Sequence, residues 1–304
     1  MQGLQIYLFG GFRIIQADSE SIVKLIYSSQ ALLAYLLLQR HRNHPRDLLA
    51  GVFWGQQSQK QARRCLNTAL WRLRQALEPE EIPTGNYLLT GSMGEISFDC
   101  GSNCWLDIAI FETQVSSVLA TPIPDMTASD VETLEQALQL YTGELLEGFY
   151  EDWVLFERER LRTLYLNGQA HLMQYYRYHG AFKESLACAQ KILDKDPLRE
   201  EIHREMMHLY FENGQRALAV RQYQACTQIL ATELGIPPME ETQMLYHQLL
   251  QAVSQPPRGP SSYTKKLNTN EQLLHQLQLS VREIDRALGQ LRQAMGLAET
   301  LPEY

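Results

Sequence analysis

Between Met173 and Gly214 the chain repeats itself. Met173 and Met207, Tyr176 and Tyr210, and Gly180 and Gly214 each lie 34 residues apart, and Tyr175 is matched by Leu209. Each glycine stands in a turn (YHGAFKESL, ENGQRALAV) between two helical patterns, and Pro197 closes the first unit where a tetratricopeptide repeat ends its second helix. A unit of this length cannot bury its apolar face alone, so the period demands stacked helix-turn-helix pairs that cover one another. Asp130–Arg162 supplies further helices to cap the array. Helical patterning runs from Asn103 to about Val253, which makes residues 101–253 one tetratricopeptide-like domain.

The N-terminal third follows a different plan. Leu4–Gln16 alternates apolar and polar residues around Gly10-Gly11, a hairpin pattern, and Ser21–Tyr27 adds a further strand. Ser28 or Ser29 is placed to cap a leucine-rich core helix over Ala31–Arg42, with basic residues at its C-terminal end. Pro45–Trp54 is a short helical pattern that stops at Gly55. Ser58–Leu77 then reads as a helix begun by a Ser58/Gln61 capping box. Leu66, Leu70, Leu73 and Leu77 form its apolar stripe. The opposite face gathers Gln61, Arg64, Thr68, Trp71, Arg72 and Gln75, with no acid until Glu78. A solvated face ordinarily mixes acids with bases, so an acid-free face suits a polyanion. Tyr87–Thr90 and Ile96–Asp99 flank Gly91–Gly94 as a second hairpin. An amphipathic helix alone is equally at home in an ordinary core. Helix, glycine turn, helix and hairpin in succession are what argue for a winged helix-turn-helix over residues 1–100.

Charge agrees with that division. The whole chain is at −8, but residues 1–100 carry ten Lys/Arg against eight Asp/Glu, and residues 101–304 carry 17 against 27. The acidity belongs to the rest of the chain, where it discourages non-specific contact with nucleic acid. His41 and His44, with Arg40, Arg42 and Arg46, mark a solvated turn or a phosphate contact.

Residues 254–265 hold three Pro and a Gly and read as a linker. In residues 266–298, Leu274, Leu277, Val281, Ile284, Leu288, Leu291 and Met295 alternate spacings of three and four, a coiled-coil seam. Gly289 weakens it by about 1 kcal/mol against Ala. The seam serves homodimerisation first; docking on the chain's own helical domain or on a partner's helix are the alternatives.

Nothing in the sequence supports catalysis. There is no phosphate loop of the GxxxxGK[ST] type, no GxGxxG after a strand, no GxSxG elbow, no HExxH and no Cys-x-x-Cys pair. Glu157 and Glu159 alternate with Arg158 and Arg160 as on a solvated, ion-paired helix face. The five cysteines are scattered, odd in number and read as reduced thiols, with no metal site and no cofactor expected. No signal peptide or run of 18 apolar residues is present, so a cytoplasmic protein without a membrane partner is expected.

The combination resembles the bacterial antibiotic regulatory proteins, transcriptional activators that join an OmpR-type winged helix to a bacterial transcriptional activator domain. The residues that carry the resemblance begin with Leu8-Phe9-Gly10, Ala31–Leu38, Arg46–Leu49, Phe53-Trp54-Gly55, Leu70–Leu77 and Asn86–Leu89. Further on they are Leu106-Asp107 with Phe111-Glu112, Asp196–Glu200, Arg221-Gln222-Tyr223, and Glu233–Pro238 (ELGIPP) with Glu241-Thr242. The resemblance implies binding to double-stranded promoter DNA, as a homodimer on repeated half-sites, with recruitment of RNA polymerase. It further implies that Arg64, Thr68, Trp71 and Arg72 face DNA, with Lys60 and Gln61 at the helix entry and Arg63, Asn67 and Arg74 on the flanks. The hairpin tip, residues 90–94, has no Lys or Arg, which departs from a strongly DNA-binding wing. The C-terminal seam stands where larger relatives carry ATPase and sensor domains, so a short form is expected. The neutral wing and acidic total keep a second reading open, an interaction scaffold whose winged helix does not bind DNA. The expected fold class is thus mainly α with a small β component: winged helix, tetratricopeptide-like array, linker and coiled-coil helix.

Overall fold

Alternation of apolar residues puts Leu4 and Ile6 on the buried face of strand β1 (Leu4–Tyr7) and Ile14 on that of β2 (Arg13–Gln16). The computed structural model describes residues 3–16, 21–78, 83, 85–99 and 104–254. The two strands pair antiparallel with Leu4 opposite Gln16, and the short β3 (Ser21–Ile22) extends the sheet beyond β2. Three helices follow: α1 (Tyr27–Leu38), α2 (Arg46–Trp54) and α3 (Gln59–Leu77). The apolar residues of α1 from Ala31 to Leu37, Tyr35 excepted, are at most 2% exposed, which makes this the core helix of the first domain. The stripe Leu66, Leu70, Leu73 and Leu77 is buried as the helical period requires. A hairpin of β4 (Leu88–Thr90) and β5 (Ile96–Phe98) completes the winged helix, with Leu88 opposite Phe98.

Four local expectations need correction. α1 starts at Tyr27, its N-cap is Ile26 without a side-chain cap, and Ser29 lies inside the helix, fully buried, its hydroxyl unpartnered. The same helix ends at Leu38, so Arg40 and Arg42 lie beyond its last turn. Ser58 is the N-cap of α3, but its hydroxyl donates to the Gln61 side chain at 2.9 Å rather than receiving a backbone N–H, so the capping box is absent. His44 is buried rather than solvated: its backbone exchanges two hydrogen bonds with Ile96 of β5, and its ring packs on Tyr35.

Strand β6 (Cys104–Leu106) runs parallel to β1 and closes the order β3-β2-β1-β6. A parallel neighbour requires a long crossover, and the three helices and the wing supply it. Cys104 is disulfide-bonded, whereas Cys65, Cys188 and Cys226 are free, so the reading of five reduced thiols does not hold.

From β6 the chain turns directly into helices α4 (Asp107–Leu119), α5 (Ala128–Gln139), α6 (Asp152–Tyr178), α7 (Phe182–Lys195), α8 (Glu200–Glu212), α9 (Arg216–Glu233) and α10 (Glu240–Ser254). A true capping box does occur at Thr127 and Asp130, before α5. The internal repeat is the pair of hairpins α6–α7 and α8–α9. Their turns match bond for bond: Ala181 N–H donates to Tyr176 at 2.8 Å and Gln215 N–H to Tyr210 at 2.7 Å. Gly180 and Gly214 occupy the same left-handed conformation, φ 72° and 73°, which explains the recurring glycine. The Asp196–Glu200 turn and the segment after ELGIPP belong together, because the Glu200 carboxylate accepts the Met239 N–H at 2.7 Å.

The described residues up to Tyr246 make one compact unit. Within it, the winged helix and the helical array are fastened by backbone. Gly10 N–H donates to Glu144, Leu146 N–H to Leu8 and Glu147 N–H to Gly10, at 2.6–2.8 Å. A Cβ on Gly143 would stand 2.9 Å from the Gly10 Cα, so the two chains touch where both are glycine. Arg158 holds the far side of this loop by donating to the carbonyls of Leu145, Leu146 and Phe149. That corrects the solvated-face reading for Arg158; Arg160 does pair with Glu157, and also with Glu112. The linker from residue 255 on and the heptad seam lie outside the described residues.

Candidate nucleic-acid interface

Burial of the leucine stripe fixes which side of α3 meets solvent. Lys60, Gln61, Arg63, Arg64, Asn67, Thr68, Trp71, Arg72 and Gln75 are all exposed, and Trp71 is 61% exposed. The indole thus stands among polar and cationic side chains as the one large apolar group of this face.

Neighbouring elements then sort these residues. Asp47, in the first turn of α2, accepts two hydrogen bonds of 2.7 Å from Arg63. This bidentate pair holds the Asp47 carboxyl below its ordinary range, chiefly through the hydrogen bond. Arg46 donates to Asn67 at 2.7 Å, so α2 grips α3 through two adjacent residues. Arg74 is half-buried and donates to Thr90 of the wing at 2.9 Å. Thr68 gives its hydroxyl to the Arg64 carbonyl, which leaves its methyl outward. Lys60, Arg64 and Arg72 are the cations of α3 whose side chains make neither an ion pair nor a hydrogen bond among the described residues. The structure therefore gathers one exposed set, Lys60, Gln61, Arg64, Thr68, Trp71 and Arg72. It sets apart Arg63, Asn67 and Arg74, which are engaged inside the protein.

Sequence reasoning missed what orients this face. The buried Glu78 carboxylate, one residue past α3, accepts N–H groups of Gly85, Tyr87 and Leu88 at 2.7–3.0 Å. Helix α3 and the first wing strand are thus bolted together. The acid that ends the basic face was visible in the sequence; its three partners were not.

A second carboxylate does the same at the domain junction. Asp107 accepts from Leu8 and Phe9 through one oxygen, at 2.7 and 2.9 Å, and from Ile108 through the other, at 2.7 Å. Burial pushes its pKa up to about 6 despite these three donors. Elsewhere between the two domains, Tyr27 stacks on Phe149 and donates to Glu151, and Tyr35 and Phe53 pack on Trp153. Arg40 pairs with Glu112 at 2.8 Å.

Among the described residues no group of His, Cys, Asp and Glu could hold a metal ion, and no helix is long and apolar enough to cross a membrane.

These features define a class: a winged helix whose second helix-turn-helix element exposes a cationic face, joined by its own sheet to a helical-repeat domain. Residues 106–250 match the bacterial transcriptional activator domain. The chain is similar to the regulatory protein AfsR of Streptomyces coelicolor, at 27% identity over 77% of this chain and 23% of that protein. It is also similar to the transcriptional regulatory protein MoaR1 of Mycobacterium bovis, at 25% identity over 73% of this chain and 71% of the relative. It therefore spans about a quarter of AfsR and most of MoaR1. In fold it resembles EmbR of Mycobacterium tuberculosis, solved in complex with a low-affinity phosphopeptide. That likeness has a TM-score of 0.65 and 20% identity, covering 85% of this chain and 67% of that one. Residues 106–250 thus carry a bacterial transcriptional activator domain, in a chain similar to bacterial regulatory and transcriptional regulatory proteins.

Proposed function

We propose that this protein is a sequence-specific DNA-binding transcription regulator that activates promoters by recruiting RNA polymerase and occupies repeated half-sites as a homodimer. The observation that carries this reading is the outer face of α3, where Lys60, Arg64 and Arg72 make no ion pair among the described residues and no acid intervenes. Such a face, on the second helix of a helix-turn-helix, is built for a major groove. Arg64 and Arg72 act as readers of guanine or clamps on phosphate. Thr68 offers a methyl to thymine, and Trp71 packs on sugar. Lys60 and Gln61 serve the helix entry, while Arg63, Asn67 and Arg74 hold α2 and the wing in register. The wing tip adds backbone N–H groups and Ser92 rather than charge.

Two such modules on one chain pair gain apparent affinity through effective concentration, by roughly 10²–10⁴-fold when half-site spacing fits. In this reading the seam Leu274, Leu277, Val281, Ile284, Leu288, Leu291 and Met295 strengthens the pairing.

The test is selection of bound duplexes from a random library by the full chain at about 150 mM salt, near the physiological range. Recovery of a repeated motif at fixed spacing is expected. A folded protein that enriches nothing would transfer the function to protein contacts, the scaffold reading that the uncharged wing tip favours.

A further inference from the structure

Beside the exposed face of α3 lies a groove of about 280 Å³ whose other wall is the segment entering α1. Lys24 and Arg72 stand on opposite sides of it, Gln75 adds an amide, and among the described residues no Asp or Glu lines it. Leu25, Ile26 and Trp71 supply apolar walls. Two cations without a counter-ion among the described residues, around one depression, call for an anion.

Ser29 gives an independent sign. It lines the groove and is fully buried, yet its hydroxyl has no hydrogen-bond partner among the described residues. A serine inside a helix ordinarily turns its proton to the carbonyl four residues back. Here that carbonyl, of Leu25, is taken by the Gln30 side chain at 3.0 Å. The helix also begins at this wall without a side-chain cap, so the positive end of its dipole is unanswered.

We propose that this groove receives a backbone phosphate of the DNA strand that borders the major groove read by α3. Lys24 and Arg72 neutralise it, Gln75 and the Ser29 hydroxyl donate hydrogen bonds, and the adjoining deoxyribose rests on Trp71 and Ile26. The inference rests on the DNA-binding reading and extends it to Lys24, Gln75 and Ser29, outside the recognition helix's base-reading residues. The groove is continuous with the exposed α3 face through Trp71 and Arg72, so a duplex seated on that face brings its own phosphates there.

The experiment uses the full chain and the tightest duplex from the selection, with single phosphates replaced in turn by neutral methylphosphonates. Lys24→Gln is expected to weaken binding about tenfold and to lower the salt slope by about one, as loss of one phosphate contact does. Neutralising one particular phosphate should weaken the wild type more than it weakens Lys24→Gln, in which Arg72 alone still meets that charge. Ser29→Ala should weaken binding with a Tm at or above that of the wild type, because it deletes an unsatisfied buried hydroxyl. Wild-type affinity and slope in Lys24→Gln, with Arg64→Ala still weakened, would overturn the groove and leave the DNA reading standing. Loss of effect in both variants would remove the two together. A lower Tm with unchanged affinity in Ser29→Ala would make the hydroxyl structural and overturn its part. Competition by inorganic phosphate at matched ionic strength, seen with wild type and abolished by Lys24→Gln, would reassign the groove to a free anion.

Discussion

Asp47 and Arg63 set how much charge α3 presents. Their two hydrogen bonds of 2.7 Å spend one guanidinium inside the protein and leave an acid beside the surface where DNA would lie. Both side chains are more than half exposed, so the pair adds little to stability. Asp47→Asn is therefore expected to keep the fold, release Arg63 and raise affinity for duplex DNA. The log–log salt slope should steepen by up to about one, the mark of an added phosphate contact. Titrations at several salt concentrations test this, and an unchanged slope would mean that Arg63 cannot reach the backbone. Which cations on α3 were committed internally was not legible in the sequence. A helical wheel puts Arg63 and Arg64 side by side, and only Asp47 on the preceding helix separates them. Likewise Ser29 and Ser58 looked like caps because serine caps helices often. In the structure one is buried within the first turn of α1 and the other spends its hydroxyl on Gln61.

At the scale of elements the periodic signals were sufficient. The two hairpins, the leucine stripe of α3 and the glycine turns of the repeat all rest on contacts between near neighbours in sequence, and all stand as the spacing implied. Contacts between residues about a hundred apart carry no local pattern, which is why the β1–β6 pair and Asp107 with Leu8 and Phe9 went unread. The repeat also has a dependence on pH. His203 on α8 lies against the Pro197 carbonyl and the Gln222 side chain of α9, and burial lowers its pKa, as it does for His171 and His208. A lowered folded pKa means that the unfolded chain takes up protons first on acidification. The stability these histidines contribute is complete above about pH 6.5 and is lost as pH falls through their folded values. His203→Gln should thus reduce the loss of stability between about pH 7 and pH 5 while lowering stability itself at neutral pH. Denaturant midpoints of the two proteins across that range provide the measurement, and parallel curves would sink the assignment.

For the whole molecule the question is whether the winged helix and the helical array move as one body. The backbone bonds of Leu8 and Gly10 to residues 144–147, the Asp107 carboxylate and the Tyr35–Phe53–Trp153 cluster all cross the junction. A regulator whose array contacts one partner and whose winged helix contacts another transmits geometry between them when that junction is stiff. Removal of residues 263–304 should leave both domains folded, reduce the sedimenting mass and weaken binding to repeated half-sites; unchanged mass and affinity would release the seam from its role. Asp107 tests the junction itself. Asp107→Ala would strand three buried N–H groups, at about 1–3 kcal/mol each before relaxation or water entry. The expected result is a cooperative thermal transition that divides in two, with the winged helix melting first and the array little changed. Its pH dependence runs opposite to that of the histidines. Because the folded pKa is raised to about 6, the native state binds the proton more tightly, so the contribution of Asp107 falls as pH rises from about 4 to about 6. Asp107→Asn, which cannot titrate, should therefore steepen the acid destabilisation of the full chain relative to wild type. A single undivided transition in Asp107→Ala, with its midpoint simply lowered, would instead mean that the remaining backbone bonds and aromatic contacts are enough to keep the two domains coupled.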